Sequence, residues 1–291
     1  MDWSQRMNLA LDFIENNLDA DISIDEVARK AYSSMYHFHR MFYAQFNTTP
    51  AEYIRRRRLT KAASEVVLGN TKIIDIAFKY GYESPNAFTC AFRNIHGVTP
   101  SAARSGQVKL KAFRRASCKF NSKGKPMLDY RIIEQPAFEV LGKSKNFEFE
   151  EFVKQGPKFW KDYVSSSEYQ ALYEITNGRA GLVSDAPMMS VYFPNDSGSR
   201  DLFTDVLAIE KPVEVDNKSF EVFKIPKATY AEFNCTYQTS MKTNRAIYGD
   251  WFNATGYERD GNKPDVAAYF PIPFKPMKDM GVRWWIPVKV T

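Results

Sequence analysis

The chain has 291 residues, 44% hydrophobic and 25% charged, a balance that fits a globular protein with ample core and length for two domains. Its three cysteines, Cys90, Cys118 and Cys235, are odd in number and far apart, which argues against a disulfide frame or a zinc site and for a reducing compartment. The net charge of +6 is unevenly spread: 17 of the 40 Lys and Arg and 11 of the 34 Asp and Glu fall in residues 1–116, leaving 23 of each for residues 117–291. The positive excess therefore sits entirely in the first part, where phosphate contact would use it. No apolar run approaches the roughly 20 residues of a membrane span, and MDWSQRMNLALDF has no signal-peptide pattern, so the expected location is cytoplasmic.

Residues 2–18 read as an amphipathic helix with Leu9, Leu11, Phe13, Ile14 and Leu18 inward. From Ile24 to Phe46 the chain reads IDEVARKAYSSMYHFHRMFYAQF, two short helices joined by a tight turn. Asp25 and Glu26 suit the positive end of the first, and Ser34 suits the N-cap of the second. Phe38, Met41, Phe42 and Phe46 form one apolar stripe and leave Tyr36, His37, His39, Arg40 and Tyr43 off it. Such a rim can reach base edges in a major groove, although this stretch alone is also compatible with an ordinary amphipathic pair. His37 and His39 are two apart and do not face each other on a helix, so they do not read as metal ligands.

Pro50 then opens a helix of about 18 residues, AEYIRRRRLTKAASEVVL, about 27 Å long. That length holds two recognition helices roughly one DNA turn apart, about 34 Å. Arg55 to Arg58 occupy all its sides, so only one or two can meet phosphate, while Tyr53, Ile54 and Leu59 supply the buried side. From Ile74 to Pro100 the first pattern returns. Val27 and Ala28 match Ile76 and Ala77; after the turn Ser34, Phe38, Phe42, Thr49 and Pro50 match Ser84, Phe88, Phe92, Thr99 and Pro100. The second recognition helix, Pro85 to Ile95, turns Asn86, Ala87, Thr89, Cys90 and Arg93 outward, with Asn86 suited either to adenine or to the backbone and water.

The stretches SMYHFHRMF and PAEYIRRRRL around the first unit, and DIAFKYGYES, AFTCAFR and GVTP around the second, make residues 1–107 resemble the AraC/XylS-type DNA-binding domain. The resemblance implies an all-α domain with two helix-turn-helix units. It places Ser34, Tyr36, His39, Arg40 and Arg57 from the first half, and Ser84, Asn86, Thr89 and Arg93 from the second, at duplex DNA. Arg40 is suited to a bidentate guanine contact or to a phosphate clamp, and Arg57 to phosphate. One departure is Tyr32, where the turn ordinarily carries glycine as Gly81 does, which implies a strained or altered first turn.

Residues 108–126 read as a basic linker with no sustained period, a solvated tether in the simpler view. Residues 127–291 read as α+β. Strand-like segments are Asp129–Ile133, Phe138–Ser144, Met188–Phe193, Phe220–Ile225, Ala228–Phe233 and Val282–Val290; helix-like ones are Phe149–Tyr163, Ser199–Ile209 and Lys242–Asn253. A strand, a helix carrying Trp160 and a later strand recur as a strand, a helix carrying Trp251 and a final strand.

The segments AFEVLGKS, AIYGDWFNATGYE and WWIPVKV together resemble the GyrI-like effector-binding domain. The resemblance implies a pseudo-twofold pair of β-α-β-β units around a small-molecule site. Trp160, Tyr163, Trp251, Tyr269, Arg283, Trp284 and Trp285 are its candidate lining. Trp284 and Trp285 point to opposite strand faces, so one is core while the other lines the cleft. Relatives that bind cations commonly carry a Glu where Arg283 stands; an arginine facing the cleft favours an anionic or neutral aromatic effector. The alternative is an Arg283 turned to solvent, with Glu148 or Asp250 serving the site.

Together these readings describe a bacterial two-domain regulator that binds duplex DNA and a small-molecule effector, with RNA polymerase as a further candidate partner. A nucleoid-type binder with a structural second domain, and a GyrI-like hydrolase fused to a DNA-binding domain, are the other readings. No nucleophile–base pair, phosphate loop or metal-ligand spacing is evident, so neither an enzyme nor a cofactor is expected.

Overall fold

A computed structural model describes residues 1, 3–106, 108–118, 128–195, 202–213, 219–261, 263–271 and 276–289. The chain divides into two compact units, Met1–Phe38 with Phe46–Phe120, and His39–Gln45 with Asn121–Thr291.

The first seven helices are α1 (Trp3–Asn16), α2 (Ile24–Lys30), α3 (Met35–Phe46), α4 (Pro50–Leu68), α5 (Ile73–Lys79), α6 (Pro85–His96) and α7 (Pro100–Ser105). Their starts follow from local chemistry. Thr49 accepts from the Glu52 amide at 3.2 Å, Ser84 from the Ala87 amide at 3.2 Å and Thr99 from the Ala102 amide at 3.3 Å, each with proline next in the chain. Ser34 caps α3 through the His37 amide at 3.4 Å. On α1 the buried stripe is Met7, Ala10, Leu11 and Ile14, which leaves Leu9 43% exposed and Phe13 half-buried, against the inward placement read from the sequence. Around the second helix-turn-helix, Leu59, Ala62, Ala63 and Val66 of α4 pack with Ile76, Ala77, Phe88 and Phe92.

The two turns differ as the sequence implied. Gly81 has φ +78°, and a Cβ there would stand 2.9 Å from the Arg58 guanidinium. Tyr32 takes φ +53° in the first turn and is 69% exposed.

The segment after α7, read as a tether, is a strap on the first unit. Its backbone is held at Phe113 N by Thr60 Oγ1 (3.1 Å), at Ala116 N by the Tyr53 hydroxyl (3.1 Å) and at Cys118 N by Asn8 Oδ1 (2.9 Å), while Asn8 Nδ2 donates to Cys118 O (2.9 Å). Arg115 also pairs with Asp12 of α1 and the Arg56 guanidinium of α4 lies over the Phe113 ring, so scattered backbone and side-chain contacts hold the strap, a pattern periodicity cannot reveal. Residues 119–126 of the expected linker lie outside the described residues.

The second unit is an antiparallel sheet with helices on it. Its strands are β1 (Arg131–Gln135), β2 (Phe138–Glu148), β3 (Met188–Pro194), β4 (Leu202–Glu210), β5 (Glu221–Ile225), β6 (Ala228–Thr236), β7 (Glu258–Arg259), β8 (Asp265–Phe270) and β9 (Gly281–Lys289), in the order β1-β6-β9-β8-β3-β4-β2-β5 with β7 on β9. Its helices are α8 (Phe149–Val164), α9 (Ser167–Thr176), α10 (Tyr237–Ala246) and α11 (Phe252–Thr255), the last two joined by a π-helical turn at Ile247–Trp251. Two β-α-β-β copies result, β2–α8/α9–β3–β4 and β6–α10–β8–β9, meeting where β3 pairs β8. The short strand before each copy crosses over, β1 to β6 and β5 to β2.

Where a helix was expected over Ser199–Ile209, residues from Leu202 form β4; 199–201 lie outside the described residues. Both faces of β4 are covered, so its apolar residues run together and hide the alternation. One sheet face holds a core of Val140, Met189, Val191, Val206, Ala208, Tyr230, Val266 and Trp285. Strand registers put Asp205, Tyr192, Asp265 and Trp284 on the opposite face, where Trp160 of α8 and Ser240 of α10 bond to it.

Candidate functional site

In the first unit, α6 presents Asn86, Ala87, Cys90, Arg93 and Asn94 exposed and Thr89 half-exposed, while Phe88 and Phe92 anchor the other side. Ser84 is occupied as a cap. A free row of short polar groups and one arginine at the start of a helix is the geometry needed to enter a major groove.

The α4 arginines are spoken for. Arg57 is 8% exposed and donates to both carboxylate oxygens of Glu15, at 2.7 and 2.8 Å, and to Phe113 O. Burial pushes the Glu15 carboxyl up, but its bonds from Arg57 and Tyr53 outweigh that and hold it below the usual range. Arg57 is therefore turned into the unit and corrects the phosphate role read from the sequence. Arg55 and Arg56 pair with Glu52 at the surface, and Arg58 donates to the carbonyls of Leu18 and Ala20. On α3, Tyr36 and His39 are buried.

In the second unit, three strands bring a row of residues together. Tyr192 is paired across β3 with Asp205 on β4 and with Asp265 on β8, so a tyrosine lies between two carboxyls on one face. Both carboxyls are fully buried. Trp284 stacks on Tyr192 with ring centroids 5.7 Å apart and donates to Ser240 at 3.0 Å; Tyr269 donates to Ser190 at 3.2 Å. Trp160 of α8 donates to Asp205 Oδ2 at 2.7 Å, and Tyr163 packs with Met188 and Leu207.

The two acids have opposite environments. Asp265 accepts from Arg259 at 2.8 and 3.1 Å and from the Tyr248 hydroxyl at 2.5 Å. Burial pushes its carboxyl up, yet the Arg259 and Arg40 charges hold it below the ordinary range. Asp205 has only Trp160 on one oxygen, and Oδ1 has no hydrogen-bond partner among the described residues. Burial holds its carboxyl well above the ordinary range.

Trp160, Tyr163, Tyr269 and Trp284 thus lie on the face expected to carry the effector. Trp251 packs against Phe233, Tyr130 and Tyr257. Trp285 and Arg283 lie on the other face: Trp285 donates to Glu232 at 3.0 Å, and Arg283 pairs with Asp185 at 2.7 Å and lies over Phe270. An Arg283 facing the effector, and the anion preference built on it, are corrected by strand parity: Trp284 takes the face under α8 and α10, so its neighbour cannot. Glu148 and Asp250, the alternatives, are exposed.

A helix-turn-helix domain model matches residues 27–106, and the model described as integron-associated effector binding protein, Cass2, matches residues 131–288. The second match covers more than half of the chain. The chain belongs to the Cass2 effector-binding family. Its first part is 44% identical over 96 residues to the transposon Tn10 TetD protein of Escherichia coli, covering 33% of this chain and 70% of that one. It is 34% identical over 94 residues to the multiple antibiotic resistance protein MarA of Salmonella typhimurium, covering 32% and 74%. The solved structure of SAV2435 bound to tetraphenylphosphonium overlays at TM-score 0.45 and 13% identity, covering 56% of this chain and 94% of that one. The protein is thus an AraC-type DNA-binding regulator whose C-terminal Cass2 domain binds an effector.

Sequence reasoning missed Tyr192, Asp205, Tyr248, Asp265 and Arg259. Asp265 opens a six-residue strand that the sequence reading left unassigned, and Asp205 sat in a segment read as helix. The signal that would have found Asp205 is a lone acid inside the apolar run VLAIE and its upstream LFTD, which only a strand reading turns inward.

Proposed function

We propose that the effector is an aromatic or lipophilic cation that lies over Tyr192 and Trp284 and brings its charge to Asp205. The carrying observation is the unpartnered Asp205 oxygen in a fully buried aromatic row. A buried carboxyl left half satisfied is costly, and a cation is the group that relieves it. Trp160, Tyr163 and Tyr269 support the site by bonding or packing around that row. On the DNA side, the exposed Asn86 and Arg93 and the half-exposed Thr89 support α6 as the helix that meets the duplex, with Arg40 as the base-reading candidate of α3. RNA polymerase is the partner such a regulator would recruit, in a cytoplasmic setting. Titrating tryptophan fluorescence with benzamidine, an aromatic amidinium, and with neutral benzamide tests the effector class. Saturable quenching by the cation alone, lost in Asp205→Asn, is the expected result; equal response to both compounds would contradict it.

A further inference from the structure

The second unit includes residues 39–45 of α3, and among them Arg40 reaches the row of acids and rings. Arg40 places Nη2 2.9 Å from Asn244 Oδ1 and Nη1 3.4 Å from Asp265 Oδ2. Its guanidinium lies 4.6 Å over the Tyr248 ring and 5.7 Å over that of Tyr192. Only 10% of its side chain is exposed. A planar cation between two tyrosine faces, with a carboxylate at its edge, is how a small aromatic cation would be held.

Charge balance makes the arrangement more than packing. Asp265 is fully neutralised by Arg259, whose guanidinium also donates to the carbonyls of Asp260, Gly261 and Lys263. Asp205, one strand over, has no cation of its own among the described residues apart from the field of Arg40. With the Asp205 carboxyl pushed up by burial, Asp265 and Arg259 balance each other and Arg40 is the further cation of the row; a cation from outside that takes its place against the tyrosine rings keeps the charge of the row unchanged. Arg40 is also the residue of α3 best suited to a guanine edge, and one guanidinium cannot be in both places.

We propose that Arg40 is an internal occupant of the effector cleft, so that cation binding and release of Arg40 for DNA are one event. This rests on the effector reading above and adds to it that the cleft is filled by the chain itself when no effector is bound. A ligand then pays for displacing Arg40, and removing Arg40 should raise its apparent affinity.

The test uses the full chain with arginine-labelled nitrogen. Benzamidine is titrated into wild type, Arg40→Ala and Arg40→Lys, following tryptophan fluorescence and the Arg40 Nε–H resonance together. We expect Arg40→Ala to bind roughly tenfold more tightly than wild type, and Arg40→Lys to stay near wild type. In wild type the Arg40 resonance should shift with the same midpoint as the fluorescence. Equal affinity of wild type and Arg40→Ala, or binding that leaves the Arg40 resonance unmoved, overturns the occupancy while leaving the effector reading intact. Absence of binding by all three proteins overturns both.

Discussion

Arg57 illustrates how one residue changes role between sequence and structure. In a run of four arginines on a helix it reads as a phosphate ligand, but α1 brings Glu15 to it and the strap brings the Phe113 carbonyl. Arg57→Ala should therefore cost about 2 kcal/mol of stability, since it takes the charged hydrogen bonds from the half-buried Glu15 carboxylate, and leave the ratio of cognate to random DNA affinity unchanged. Urea unfolding and a salt-matched binding assay would separate the two effects. Glu15 supplies the pH side of the same pair. Its folded-state pKa lies below its ordinary value, so its contribution is complete above about pH 4.5 and is lost as the pH falls through the folded value. Glu15→Gln should flatten that acid limb. Asp205 has the opposite sign. Its carboxyl is pushed up by burial, so a bound cation ionises it, and binding should release protons and strengthen as the pH rises. Calorimetry in buffers of different ionisation enthalpy reads that release directly.

At the scale of elements, the strap after α7 makes α1 and α4 one body. Asn8→Ala removes both side-chain bonds to Cys118 and should cost about 1–2 kcal/mol, seen as faster hydrogen exchange at the Cys118 amide. The helix-turn-helix repeat was legible because its signals are local: caps, prolines and a stripe such as Phe38, Met41 and Phe42 are set within one turn of chain. The sheet was legible where a strand stood between clear breaks, as at Phe138 and Ala228. It was illegible at β4 and β8, whose residues are buried on both faces and lose the period-two signal. The candidate site suffered most, because Asp205, Tyr192 and Asp265 lie on three strands separated in sequence, and only register brings them side by side. Trp284 and Trp285 were separable in principle by parity, but which of them faced the helices depended on a pairing the sequence did not contain.

For the molecule as a whole, the proposed exchange of Arg40 would join two kinds of binding. The first unit carries the excess positive charge and an exposed α6 face; the second carries a buried row of acids and aromatic rings that includes Arg40 of α3. Arg93→Ala, on the free face of α6, should weaken binding to all duplexes about equally and lower the salt slope by about one. Coupling of the two sites is read most directly from the affinity of the full chain for a duplex selected by the protein itself, by fluorescence anisotropy, with and without saturating benzamidine. Roughly tenfold tighter binding of that duplex is expected with the cation, with no change on random DNA and no response in Asp205→Asn. An affinity that is the same with and without the cation would contradict it.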